Sequence, residues 1–112
     1  MVLYRGSEAI SMKVETAGSF IRRFAGLIGK KKIPAGYCLY FPGCNSIHTF
    51  FMSMAIDVIM TSAQGRVEGL FPGILPWKFA FTREAADTIE AAAGTIAASG
   101  IKKGDILHLK QD

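Results

Sequence analysis

From Tyr37 to Phe81 the chain is a succession of short apolar runs, each cut off by turn residues. Tyr37 to Phe41 is apolar throughout and ends at Pro42-Gly43. Ile47 to Met52 and Ile56 to Thr61 follow, separated only by Ser53-Met54-Ala55. Ala63-Gln64-Gly65 marks a further hairpin turn, and Arg66 to Phe71 reads as its second arm. Runs this short, punctuated this closely, predict strands rather than helices. On the run 47–52 apolar residues occupy both parities, so both faces of that strand are expected to be covered. Pro72-Gly73 and Pro76 make the next stretch irregular, and Trp77, Phe79 and Phe81 alternate as a short strand or an aromatic flap.

The flanks add smaller elements. Val2 to Arg5 predicts a first strand, and Glu8 to Glu15 alternates as a half-buried second one. Phe20, Phe24, Leu27 and Ile28 recur at helical spacing after the candidate caps Thr16 and Ser19, and Gly29 closes that helix. Lys30 to Gly36 is a loop. The segment Glu84 to Ala93 is ambiguous: its alanines favour helix, while an extended piece around Thr88 to Ala91 also fits. Gly94 to Ser99 predicts one short helix stopped at Gly100, and Ile106 to Leu109 the last strand, after a turn at Lys103-Gly104-Asp105. The expected fold is mainly β with a minor helical part (α+β): a compact barrel or sandwich of about seven or eight short strands with one or two short helices. A single β-rich domain over residues 1–112 accounts for the whole length.

Composition excludes other classes. Half of the 112 residues are hydrophobic and 20% are charged, the opposite of a disordered chain. The longest apolar stretch, Phe50 to Met60, is broken by Ser53 and Asp57, so no membrane span is expected. The net charge of +4 is local. No acid lies between Glu15 and Asp57, whereas Arg22, Arg23, Lys30, Lys31 and Lys32 do, so that segment is +5 and the remainder −1. Such a patch attracts anions, but no aromatic-plus-basic RNA motif or basic recognition helix accompanies it, which argues against nucleic acid. The preferred reading of it is a solvated helix face and a lysine-rich loop. A tight Pro42-Gly43 hairpin would set Phe41 opposite Cys44 and Cys38 opposite Ile47, leaving the two cysteines unpaired. With no signal peptide read in the first twenty residues, reduced thiols in a cytoplasmic protein are expected.

Polar residues embedded in the central run are the candidates for function. His48 would share a face with Phe50 and Met52, and must find a hydrogen-bond partner. It is either a core histidine bonded to a backbone carbonyl or a pocket residue poised for proton transfer or ligand contact. Asp57 meets it only in one register of the expected 47–61 hairpin: a three-residue turn sets Asp57 on the opposite face, a four-residue turn on the same face. Otherwise Asp57 caps a turn by accepting from backbone amides. Cys44 and His48 supply two metal ligands where a closed zinc site needs about four, so no metal is expected. A Cys44 nucleophile activated by His48 is the catalytic alternative. Neither GxxxxGKS/T nor GxGxxG occurs, and no cofactor is expected. Phe71, Trp77, Phe79 and Phe81 form core or a pocket wall, with Trp77 beside Pro76 the best placed for an exposed platform.

The order Arg23-x-x-Gly26-Leu27, then Ile47-His48-Thr49-x-Phe51-Met52-x-x-x-Ile56-Asp57-Val58, then Glu90, Gly94 and Gly104-Asp105, resembles the domain of unknown function 192 family from about Met12 to Leu109. The chain departs from the family pattern at Ile28, Lys30 and Ile89-Glu90-Ala91, where methionine, arginine and Leu-Glu-Leu are usual. The resemblance implies a small, mostly β fold with an accessory helix and no established activity.

The leading expectation is a small-ligand binding module, with an anionic or apolar ligand held near the central hairpin by Arg23, Cys44, His48, Thr49, Met52, Asp57, Trp77 and Glu90. The alternatives are a protein-interaction module using the aromatic flap or a sheet edge, which includes a homo-oligomer, and an enzyme with His48 as general acid or base.

Overall fold

The computed structural model describes residues 1–11, 13–16, 33–50 and 52–111. The helix expected over Phe20 to Ile28, the basic residues Arg22, Arg23 and Lys30 to Lys32, and Phe51 lie outside the described residues. Ten strands are described: β1 (Val2–Arg5), β2 (Glu8–Ser11), β3 (Lys13–Thr16), β4 (Tyr37–Phe41), β5 (Ser46–His48), β6 (Ile56–Thr61), β7 (Val67–Ile74), β8 (Phe79–Phe81), β9 (Asp87–Ala92) and β10 (Leu107–Lys110). One short helix, α1 (Thr95–Ser99), lies between β9 and β10. The fold is therefore mostly β and sandwich-like, as the turn spacing predicts.

A five-stranded sheet in the order β3-β4-β9-β6-β7 forms the middle layer, and β3 runs parallel to β4. Every residue of β6 is buried. Ile56, Val58 and Met60 pack with Leu39, Ile47 and Ala80, so the two-stranded ribbon β5-β8 covers that face. Ile59 packs on the other side with Leu3, Ile89, Ile96 and Leu107, which come from β9, α1 and the three-stranded sheet β10-β1-β2. Two-sided burial requires apolar side chains at both parities, which is what Ile56 to Met60 supplies except at Asp57. Each fully buried Ile, Val or Met stabilises the fold by about 1.5–3 kcal/mol relative to exposure.

Several expectations are corrected. The 47–61 hairpin does not form. β5 stops at His48 and pairs with β8, while β6 pairs with β7 and β9. The backbone leaves the strand at Thr49 because that residue bonds the distant 75–78 turn instead. The register choice between His48 and Asp57 therefore does not arise. Glu8 to Glu15 is two strands: β2 pairs with β1, and β3 with β4. Alternation specifies which face is buried but not which neighbour is chosen. Cys38 does not face Ile47. Its cross-strand neighbours are Val14 and Ala91, and both cysteines are free, as expected.

The ambiguous segment 84–93 contains β9, held between β4 and β6. Two partners outweigh alanine's helix propensity, and Ala91 fits between Cys38 and Asp57 because it is small. The arm expected to end at Phe71 runs to Ile74 through a bulge opposite Asp57. There Pro72 lies where the ladder is already broken, and Gly73 takes φ +62°.

Gly65 closes the β6–β7 turn at φ +88°, and a Cβ there would overlap the Leu107 carbonyl oxygen. Its own carbonyl accepts the Leu107 N–H at 2.8 Å. Gly65→Ala is expected to cost at least about 1 kcal/mol from the left-handed conformation alone, with the overlap adding to it. The midpoint of urea unfolding measures this, and an unchanged midpoint would contradict the tight β7–β10 junction.

Candidate functional site

The polar residues singled out in the sequence fall into three separate places. Asp57 lies on the β6 face that carries Ile59, away from the ribbon, and is fully buried. Its Oδ1 accepts the Gly73 N–H at 2.8 Å, and its Oδ2 accepts the Ile96 N–H at 2.8 Å and the Gly94 N–H at 3.1 Å. The N-cap of α1 is Gly94, which has no side chain to cap with, so a carboxylate from a distant strand satisfies the first amides. Its attraction to those N–H groups is the ordinary preference of an anion for a helix start. Asp57 is thus a joint between β6, the β7 bulge and α1. No dyad with His48 exists.

Glu90 is buried on the ribbon side of the sheet, between Leu39 and Val58. The Cys44 thiol donates to the Ser46 carbonyl at 2.8 Å, and the Cys44 carbonyl accepts the Thr88 hydroxyl at 2.7 Å. The thiol therefore has a structural bond and no described contact to an imidazole. Met52 packs at the margin of the core under the ribbon. Arg23 lies outside the described residues.

His48, Thr49 and Trp77 do come together, on the ribbon. Along β5 Ile47 is buried while Ser46 and His48 are exposed, and along β8 Ala80 is buried while Phe79 and Phe81 are exposed. The alternation is complete, so the ribbon presents one face to the core and one to solvent, and the cover expected on both faces of the run 47–52 is corrected: β5 is covered on one face only. Phe50 sits at the centre of an aromatic cluster on the outer side. Its ring lies 4.6 Å from His48, 5.3 Å from Trp77 in a stack, and 5.3 Å from Phe79 edge-on. Phe79 is 72% exposed, and Leu75, Trp77 and Phe81 are each 60% exposed. Trp77, Phe79 and Phe81 are therefore exposed rather than core, whereas Phe71 packs against the core cluster under the ribbon.

Thr49 holds the platform from beneath. Leu75-Pro76-Trp77-Lys78 is a turn with proline second and Trp77 third at φ +66°, the only positive φ outside glycine among the described residues. Such turns normally place glycine there and bond residue one to residue four. Here the Thr49 hydroxyl stands in that gap. It donates to the Leu75 carbonyl at 2.6 Å and accepts the Lys78 N–H at 2.8 Å. The Thr49 carbonyl accepts the Trp77 N–H at 3.1 Å, and the Thr49 N–H donates to the Lys78 carbonyl at 2.9 Å. A tryptophan held at positive φ costs on the order of 1–3 kcal/mol and persists only where neighbours over-determine it. A polar residue in an apolar run was the signal for Thr49. Phe50 carried no such signal, because its parity and apolarity read as core.

A cleft of about 230 Å³ lies elsewhere, bordered by Tyr40, Asp87, Gln64 and His108. Burial first, then the charge and hydrogen bond of Asp87, raise the Tyr40 phenol above its ordinary range. Asp87 also accepts the Gly43 N–H at 2.9 Å. None of the residues expected at a ligand site lines this cleft. Among the described residues no helix is long and apolar enough to cross a membrane.

Two substitutions test these assignments. Thr49→Val leaves the Leu75 carbonyl and the Lys78 N–H unpaired, for an expected loss of about 1–3 kcal/mol, together with a change in Trp77 fluorescence. Wild-type stability and emission would remove the clasp. Asp57→Asn turns an NH₂ toward backbone N–H groups, and about 1–3 kcal/mol should be lost. Faster amide exchange at Gly73 or at Ile96 is the accompanying signature, and unchanged exchange at both would contradict the joint.

Comparison with other proteins agrees with this fold. The sequence profile of the DUF192 family, described as "Uncharacterized ACR", matches residues 2–109. A UPF0127 protein of Pyrococcus furiosus is 36% identical over 111 residues, covering 93% of this chain and 91% of that protein. UPF0127 proteins of Thermococcus kodakarensis and Thermococcus gammatolerans are 32% and 33% identical over 85% and 84% of this chain. The chain spans 63% and 64% of those two proteins' lengths. Among solved structures, a Novosphingobium aromaticivorans protein of unknown function superposes with a TM-score of 0.67 at 16% identity, covering 88% of this chain and 75% of that one. A Sinorhizobium meliloti 1021 protein, provisionally described as a transcription regulator, gives 0.66 at 20% identity, covering 85% and 78%. Similarity at these identities concerns the fold alone.

Proposed function

The chain belongs to the DUF192 family, which names no activity, and from its own geometry we propose that it is a protein-recognition module whose contact surface is the aromatic ribbon β5-β8. The observation that carries this reading is the exposure of Leu75, Trp77, Phe79 and Phe81 within seven residues of chain. Isolated exposed apolar residues need no explanation, but a contiguous cluster marks a contact surface. Tryptophan and phenylalanine supply large contact area at low entropic cost. The Thr49 clasp supports the reading further, because it spends a buried hydroxyl and a strained tryptophan on presenting one exposed turn.

The small-ligand reading has less support. Asp57 is consumed by three backbone amides on the far side of the sheet, and Cys44 by a carbonyl. Of the other described candidates, His48 and Trp77 lie beside Phe50 on the exposed side of the ribbon, Thr49 is taken up by the 75–78 turn, and Met52 and Glu90 pack beneath the ribbon.

A photoreactive phenylalanine analogue at position 79, introduced into the protein in its own host, tests the proposal. A discrete covalent protein adduct is expected at position 79 and not at Gln64, which lies on a distant turn, and Phe81→Lys should abolish it. Equal labelling at both positions, or none at 79, would overturn the reading.

A further inference from the structure

The hydrogen-bond parity of the ribbon says what its open edge can accept. The Thr49 N–H donates to the Lys78 carbonyl, and the Thr82 N–H donates to the Asn45 carbonyl at 3.0 Å. These are hydrogen-bonded pairs of an antiparallel ladder, and by alternation Ile47 and Ala80 form the one between them. Ser46–Phe81 and His48–Phe79 are then the non-bonded pairs. The N–H and C=O of Phe79 and Phe81 therefore point away from β5. Among the described residues no backbone group meets them. β8 is an edge strand reading Phe-Ala-Phe, with no proline, charge or bulge inside it to discourage pairing.

We infer that β8 pairs antiparallel with β8 of a second copy of this chain, on a two-fold axis through Ala80. The inference rests on the recognition reading above and names its partner. Parity selects the register. The outward residues carry odd numbers, so they meet one another only when the paired numbers sum to an even value. Of such registers only the one centred on Ala80 engages both phenylalanines of both copies. Phe79 then faces Phe81 of the second copy, and Phe81 faces Phe79. Each of these two pairs exchanges both of its backbone bonds. Successive odd residues share one face of a strand, so the rings of the two copies lie side by side as cross-strand aromatic pairs. Lys78 falls opposite Thr82, so no like charges meet. The product is a continuous ribbon β5-β8-β8-β5, closed and isologous, which leaves no new edge at β8 for further growth.

Sedimentation of the purified protein over a concentration series, with amide exchange read by NMR at each concentration, tests this. A reversible monomer–dimer equilibrium is expected. The Phe79 and Phe81 amides should become protected as dimer accumulates, while the Ala80 amide, already bonded to Ile47, stays protected throughout. Phe81→Lys changes an exposed side chain, so it should keep the fold by circular dichroism and remain monomeric. A monomer at every concentration would overturn the inference, and so would a dimer in which the 79 and 81 amides still exchange freely. If the purified chain is monomeric but the photoreactive residue at 79 captures a different protein, the recognition reading stands and the second copy is excluded. If position 79 captures nothing and the chain is monomeric, both fall.

Discussion

A strand sealed on both faces needs a layer of protein against each, and β6 is such a strand, with all six residues buried. Ile59 is covered by the helix and by the sheet β10-β1-β2, while Ile56, Val58 and Met60 are covered by the β5-β8 ribbon. The ribbon is therefore obligatory packing before it is anything else. Its inner residues, Ile47 and Ala80, are apolar, and Ala80 is small enough to bring β8 down onto the core. The one polar side chain within Ile56 to Met60, Asp57, is admitted only because three backbone amides surround it. Removing water from a carboxylate is affordable on those terms and on few others.

From that packing follows the exposed face. A two-stranded ribbon has two faces, and once one is committed to the core the other must look outward. A polar outer face would be the ordinary solution. Here it carries His48, Phe79 and Phe81, and the flanking turn adds Leu75 and Trp77. The platform is held by Thr49, whose hydroxyl replaces the turn's own hydrogen bond and ties the 75–78 turn to the end of β5. Scaffold and candidate surface thus share one residue.

Much of the architecture was legible in local pattern. β1, β4 and β6 coincide with the runs Val2 to Arg5, Tyr37 to Phe41 and Ile56 to Thr61, because each is a strand-length apolar or alternating segment bounded by turn residues. The stop of α1 at Gly100 was legible for the same reason. Pairing was not. Ile47 and Ile56 are near in sequence and look like the arms of a hairpin, yet β5 pairs with a strand more than thirty residues away. Nothing local distinguishes the two, since the decision lies in what Thr49 bonds. The candidate site was legible in part. Trp77 beside Pro76 stood out as a platform and Thr49 as a polar residue in an apolar run. Asp57 and His48 looked like partners only because the false hairpin brought them together.

By itself, the sequence determined the strand content and the mostly β fold, because side-chain periodicity and turn chemistry act over a few residues. Tertiary structure alone decided which strands pair, that Asp57 caps a helix thirty-nine residues away, and that Phe79 and Phe81 face solvent rather than core. Those outcomes depend on contacts between distant segments. Alternation says that two faces of a strand differ, but only the packed neighbours say which of them is covered.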